Sequence, residues 1–156
     1  MISIKKALSI IKSDTRKISS TELIKSEFSL RRVTAENIIA KTDNPSFNMS
    51  AMDGYAVNNK SNNGKYKLVD EVFAGQFSKK KLSKNEAIRV FTGSRLPHGT
   101  KTVLLQENIK KINEKTIFNI SKNFTAGEYV RTAGLDFKLN NKIISKNKEI
   151  DRKSVV

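Results

Sequence analysis

Cysteine is absent from this chain of 156 residues, and histidine occurs once, at His98. The first absence removes disulfide scaffolds, cysteine nucleophiles and thiolate metal sites. The second leaves a multi-histidine zinc site or a Ser/His catalytic pair almost without raw material. No apolar run approaches the roughly 20 residues of a membrane span. The start, Met1 to Asp14, is interrupted by Lys5, Lys6, Lys12 and Asp14, so it lacks the continuous apolar region of a signal peptide. A soluble, reduced, cytoplasmic protein with no membrane association is expected. With 37% hydrophobic residues, the chain is long enough to bury a core as one domain or two small ones.

Acidic residues are scarce: 15 Asp plus Glu stand against 30 Lys plus Arg, a net charge of +15. Such a balance first suggests a nucleic-acid binder. Its distribution argues otherwise, since residues 1–40, 41–100 and 101–156 carry +4, +5 and +6. Of the basic residues 23 are Lys and 7 are Arg. Lysine is a hydrated point charge, whereas arginine supplies the flat fork that reads phosphates and bases. Lys, Asn and Ile together make 54 residues, a compositional drift rather than a binding signature. The charge still favours any anionic ligand.

Ile4, Ala7, Leu8 and Ile11 recur at helical spacing between lysines. They predict an amphipathic helix of about three turns with Ser3 as N-cap. Phe28, Leu30, Val33, Ile38 and Ile39 offer anchors for a short helix and flanking extended pieces. The polar stretch Thr42–Ser50, with Pro45, reads as a connector. From Ala51 the pattern turns to short strands: Tyr55–Val57, Tyr66–Asp70, Ala87–Phe91, Val103–Gln106, Thr116–Ile120, Tyr129–Arg131 and Lys142–Ser145. Glycines punctuate them, as in a barrel or sandwich. Thr116–Ile120 is expected to form a hairpin with Val103–Gln106 across Glu107–Lys115. The fold class is thus α+β: an elongated helical and extended N-terminal region (1–45), a small mostly-β, barrel-like domain (46–137), and a return strand into the N-terminal region with a tail (138–156).

Three segments carry information. In the first, Pro45-Ser46-Phe47-Asn48-Met49-Ser50-Ala51-Met52-Asp53-Gly54-Tyr55-Ala56-Val57, an acid precedes a glycine at a strand mouth. There Asp53 is free to accept hydrogen bonds or bind a hard cation; as a bare pair, Asp53-Gly54 also reads as a turn. In the second, Arg89-Val90-Phe91-Thr92-Gly93-Ser94-Arg95-Leu96-Pro97, a strand ends at Thr92, where a hydroxyl and neighbouring amides can face an anion with Arg95 close in sequence, or the chain can simply exit into a loop. In the third, Arg131 and Asp136 flank Gly134, either as site residues or as an ion pair that orders the loop. Glu107 is another acid at a strand end.

Taken in order, these blocks resemble the N-terminal half of the MoeA-type molybdopterin molybdenumtransferase family, related to the gephyrin E-domain. SAMDGYAV is similar to that family's most recognisable segment, TGSRLPHGTKTVLLQE to its TGAxxPxGxDxVxxxE stretch, and GEYVRTAGLDF to its GxxxRxxGED loop. The resemblance spans Ser3 to about Ile150. It implies an enzyme that inserts molybdate into adenylated molybdopterin with release of AMP, assisted by a cation such as Mg2+. It implies Asp53, Thr92 and Asp136 as catalytic, with Asp53 also holding the metal or orienting molybdate and Thr92 offering its hydroxyl to an oxyanion. Arg131, Gly93 and Ser94 would bind the substrate. Lys101 and Leu135 depart from the pattern where the family has acids. The family's enzymes are more than twice as long, with a pterin-binding domain that follows this region and a cleft shared across a dimer. This chain alone is then expected to be inactive, acting as a homodimer or with a pterin-binding half or full-length homologue. Two other readings are a non-catalytic dimerisation or interaction module and a basic nucleic-acid-binding β-barrel; the second lacks clustered aromatics for stacking.

Overall fold

The computed structural model describes residues 2–16, 18, 20–121 and 124–154. Two compact units divide the chain. One comprises Met1–Ile38 with Ile144–Val156, the other Ile39–Ile143.

The first unit contains α1 (Ile4–Asp14), the α-helix among the described residues. Ser3 caps it, its hydroxyl oxygen accepting the Lys6 amide at 3.3 Å, and Lys12 sits in the last turn, where it complements the helix dipole. No residue of α1 is buried. The expected second helix is reduced to a 3₁₀ turn at Ser26–Phe28. Phe28, Leu30 and Val33 are exposed and do not share one helical stripe, and Arg31 has a positive φ of 67° that ends any helical run. What orders this stretch is the far end of the chain. Arg31 donates its amide to Ile150 O, Ile150 donates to Arg32 O, and Val33 bridges Glu149. The Thr34 hydroxyl, largely buried, donates to Ser145 O at 2.8 Å and accepts the Lys148 amide at 3.0 Å.

Among the described residues ten short strands follow α1: β1 (Ile38–Ile39), β2 (Met49–Ser50), β3 (Gly54–Val57), β4 (Lys65–Val72), β5 (Glu86–Val90), β6 (Thr102–Leu105), β7 (Ile109–Asn113), β8 (Thr116–Asn119), β9 (Val130–Arg131) and β10 (Lys142–Ile144). β1 pairs with β10 and β2 with β9, each as a two-stranded sheet. The other six form a half-barrel sheet in the order β6-β3-β5-β4-β8-β7. Only β4 and β5 run parallel. The mostly-β expectation is met, with β6 and β7 as open edges. The hairpin expectation is not: β8 pairs with β4 and β7, whereas β6 lies at the opposite edge against β3. The overlooked β7 occupies the stretch expected to be loop. Lys110 and Lys111 are both exposed on this edge strand, so its sequence shows no alternation of apolar and polar residues.

Both faces of the sheet are covered, as its period-2 pattern requires. On one face Ala56, Ile88, Val90, Val72 and Val103 pack with Leu82 and Leu96, with Tyr129 and Val130 against them. On the other, Tyr55, Val57, Ala87, Leu104, Tyr66 and Ile117 form a second cluster. β3 is buried along its whole length between β5 and β6. At its first residue a Cβ on Gly54 would lie 2.1 Å from Leu104 O, a backbone atom of the neighbouring strand.

Gly54→Ala therefore forces two strands apart. It should cost at least about 3 kcal/mol, the upper end for overpacking a core, in urea denaturation followed by circular dichroism. Gly75→Ala, where no atom lies within 4 Å of the added Cβ but φ is +80°, should cost only about 1–2 kcal/mol.

Candidate functional site

Strand register brings the first two sequence blocks together. Gly54 opposes Val90, so the residue before β3 comes opposite the chain leaving β5. Asp53 Oδ1 accepts both the Thr92 amide and the Thr92 hydroxyl, each at 2.8 Å. The Gln106 amide donates to Asp53 O at 3.3 Å, tying in the 3₁₀ turn Gln106–Asn108 that carries Glu107.

These two donations hold the Asp53 carboxyl below its ordinary pKa, the backbone amide of Thr92 first and the hydroxyl second; the Arg89 guanidinium adds to them. Arg89 is an addition to the sequence-based set. It rises from β5, its Nε 3.2 Å from Glu71 Oε1 and an NH 3.2 Å from the Tyr55 hydroxyl. Its guanidinium lies over the Phe91 ring, 5.0 Å from the centroid. Nothing in its local sequence distinguishes it from a solvated cation.

The third block closes on the first through β2 and β9, with Met49 opposite Arg131 and Ser50 opposite Val130. Two further residues that the sequence reading passed over form the junction. Asn48 accepts the Leu96 amide on its backbone O and the Ala133 amide on its Oδ1, both at 2.8 Å. Ser50 receives the Gly93 amide at 2.9 Å, gives its own amide to Ser94 O at 3.0 Å, and donates its hydroxyl to Met52 O at 2.6 Å. Three segments far apart in sequence thus share one backbone hydrogen-bond network.

The individual assignments fare differently. Thr92 lies beside Asp53, but its single O–H donor points to Asp53. What remains on both groups is oxygen lone pairs, suited to a cation or a substrate donor rather than a bare oxyanion. Gly93 has φ of +81°, the left-handed turn conformation. Ser94 is fully buried, and its hydroxyl oxygen accepts the Phe91 amide at 3.3 Å, so it builds the turn and does not face a ligand. Asp136 is engaged: Arg131 donates one NH to both its oxygens at 3.0 and 2.7 Å, and Asn44 Nδ2 adds a third bond at 3.1 Å. Lys101 precedes β6 one position beyond the Val57–Thr102 pair, roughly 16 Å along the strand from Asp53 at 3.3 Å per residue. Its departure from the family pattern therefore falls away from the Asp53–Thr92 pair. Leu135 is exposed beside Asp136.

Among the described residues no three His, Cys, Asp or Glu side chains gather as a metal-binding group. They do not build a magnesium centre unaided. Asp53 Oδ2, free of hydrogen bonds within the described residues, fits the contribution of one carboxylate to an ion held otherwise by substrate and water.

The chain as a whole has counterparts among known proteins. Residues 2–156 match the family model for the MoeA N-terminal region (domain I and II). The chain belongs to this family. It is 31% identical over 157 residues to the molybdopterin molybdenumtransferase of Staphylococcus epidermidis, covering 96% of this chain and 37% of the relative. To that of Bacillus subtilis it is 28% identical over 144 residues, covering 86% and 34%. The crystal structure of the molybdopterin biosynthesis moeA protein from Pyrococcus horikoshii OT3 superposes with a TM-score of 0.87 at 27% identity, over 97% of this chain and 41% of that one. The chain thus spans well under half the length of these relatives. Among the described residues no helix is long and apolar enough to cross a membrane.

A lowered carboxyl pKa favours the folded state. The stability it supplies is complete above the unfolded value, 3.8 for this group, and is lost as pH falls through the folded-state value. Thr92→Val removes the hydroxyl and keeps the amide. The Asp53 titration, followed by carboxyl 13C NMR, should then move upward but stay below the ordinary range, because the backbone bond is the larger cause. The exposed Arg131–Asp136 pair is weak by comparison: Arg131→Gln should cost no more than about 1 kcal/mol in thermal melts.

Proposed function

We propose that this chain acts in molybdenum cofactor biosynthesis as the N-terminal part of a molybdopterin molybdenumtransferase. That enzyme inserts molybdate into adenylated molybdopterin and releases AMP. The observation that carries this reading is the Asp53–Thr92 pair, held at a strand mouth by the three blocks that mark the family.

Asp53 is a carboxylate at neutral pH, as an ordinary aspartate is, and the hydrogen bonds from Thr92 stabilise that anion further. In this role its second oxygen would help hold a magnesium ion, and Thr92 fixes the orientation of the carboxylate. A magnesium ion, when bound, supplies charge neutralisation for the anionic substrate. Arg131 and Asp136 support the loop rather than touch the substrate. The pterin is held by the remainder of the enzyme, in the same or a second polypeptide, since holding the substrate is most of what positions the reaction. Association also has a candidate surface. Ile4, Leu8 and Ile11 are 80, 53 and 60% exposed along one face of α1, and an isolated helix of this length is marginal in water. A homodimer, or docking on a homologue's pterin-binding half, would cover that face. Cytoplasmic location accords with a cysteine-free chain.

The test is a chimera in which this chain replaces the matching N-terminal region of the Staphylococcus epidermidis enzyme. With adenylated molybdopterin, molybdate and magnesium it should release AMP, and Asp53→Asn should slow release about 100-fold, the scale of losing one preorganised charge. A folded chimera that releases none, or an Asn variant as fast as its parent, would sink the catalytic reading and favour a non-catalytic interaction module.

A further inference from the structure

A second feature stands apart from the Asp53–Thr92 pair. Arg95 lies beyond the Gly93-Ser94 turn, its backbone bridged to Met49. Its guanidinium carbon is 5.1 Å from the Phe47 ring centroid and 5.6 Å from that of Phe77. Two aromatic rings thereby hold one cation, and neither ring offers a conventional acceptor for its N–H groups. The in-plane N–H groups have no other claim. Among the described residues no acid pairs with Arg95 and no acceptor receives its side chain.

This cation borders a cavity of about 340 Å³, lined also by Ser78, Leu96, His98 and Thr100. Several of its other polar groups are spent, although no hydrogen bond engages the neutral His98 ring within the described residues. The Ser78 hydroxyl donates to Asp70 at 2.6 Å and accepts the Lys80 amide, the Thr100 hydroxyl donates to Pro97 O at 2.7 Å, and Asn48 Oδ1 holds the Ala133 amide. Arg95 is therefore the uncommitted charge of the cavity, already stripped of side-chain freedom by its aromatic contacts. Neither Asp53, Thr92, Arg131 nor Asp136 lines the space.

We propose that this cavity is a binding site for a small organic anion, whose carboxylate or phosphate meets the Arg95 fork while a flat apolar body lies along Phe47 and Phe77. The fork matches either head group through two parallel hydrogen bonds. The volume falls at the small end of ligand pockets, leaving room for a body beyond the anionic head. The site does not rest on the molybdenum-transfer reading, because it uses other residues and needs no pterin-binding partner.

Phenyl phosphate and benzoate are the probes, with inorganic phosphate and acetate as head-group controls, at constant ionic strength. Binding is read on the 156-residue chain by 15N NMR at the Arg95 side chain and the Gly99 and Thr100 amides. The aromatic anions should bind about 10-fold more tightly than the bare ones, equivalent to ~1.4 kcal/mol. Whichever aromatic anion binds more tightly identifies the head group. Arg95→Gln should lose about 10-fold or more, and Arg95→Lys, which keeps the charge without the fork, should lose an intermediate amount. Phe77→Leu should weaken phenyl phosphate and leave inorganic phosphate unchanged. Lys110→Gln, an equal charge loss on an exposed edge strand, should change affinity less than about 2-fold. Equal binding of aromatic and bare anions, equal effects of Arg95→Gln and Lys110→Gln, or no binding of either probe would overturn the proposal. In the first two cases the cause would be the general positive charge of the surface.

Discussion

The closest constraint in the molecule is the approach of β3 to β6 at Gly54. A side chain there would collide with a backbone carbonyl that cannot move without the whole strand. Because Gly54 lets β3 enter the sheet between two neighbours, Tyr55, Ala56 and Val57 alternate between the two apolar clusters and both faces are filled. The same entry sets the position of Asp53. One residue earlier than the buried strand, it meets the chain leaving β5, and the register places Thr92 within reach. A loosened Gly54 would therefore cost both packing and the geometry of the carboxylate.

From that anchor the remaining blocks are arranged by backbone hydrogen bonding. Asn48 and Ser50 bind the second block on one side and the third on the other, and the third block's Tyr129 and Val130 complete one apolar cluster. The loops that meet around Asp53 are thus also part of the cover of the core. The division of labour among the acids follows. Asp136 has both oxygens engaged, by Arg131 and Asn44, whereas Thr92 engages a single oxygen of Asp53 and leaves the other available. Two carboxylates that look alike in sequence have different chemical availability because their oxygens are differently occupied.

Much of this was readable from local patterns. The spacing of Ile4, Ala7, Leu8 and Ile11 and the Ser3 cap specify α1, and glycine-bounded runs of β-branched residues specify most strands. What was not readable is long-range. The partner of β8 depends on which strand the sheet leaves exposed, a choice that no feature of Thr116–Asn119 encodes, and β7 escaped notice because its solvent-facing lysines imitate a loop. The second helix failed where extended pairing with the distant 145–150 segment satisfied backbone groups that a helix would have bonded internally. Asp53 was legible through its motif, but the donation that commits Thr92 to it, and the aromatic clamp on Arg95, depend on strand register and on rings from separate loops.

The pairing of residues 31–34 with residues 145–150 has a temporal consequence during synthesis. A ribosome releases the early strand's residues more than a hundred positions before their hydrogen-bonding partners exist. The six-stranded sheet, whose partners are all made in between, can condense first, while the earliest segment stays solvated or is shielded by another chain. Translation speed through the last stretch thus sets how long residues 31–34 wait for their hydrogen-bonding partners.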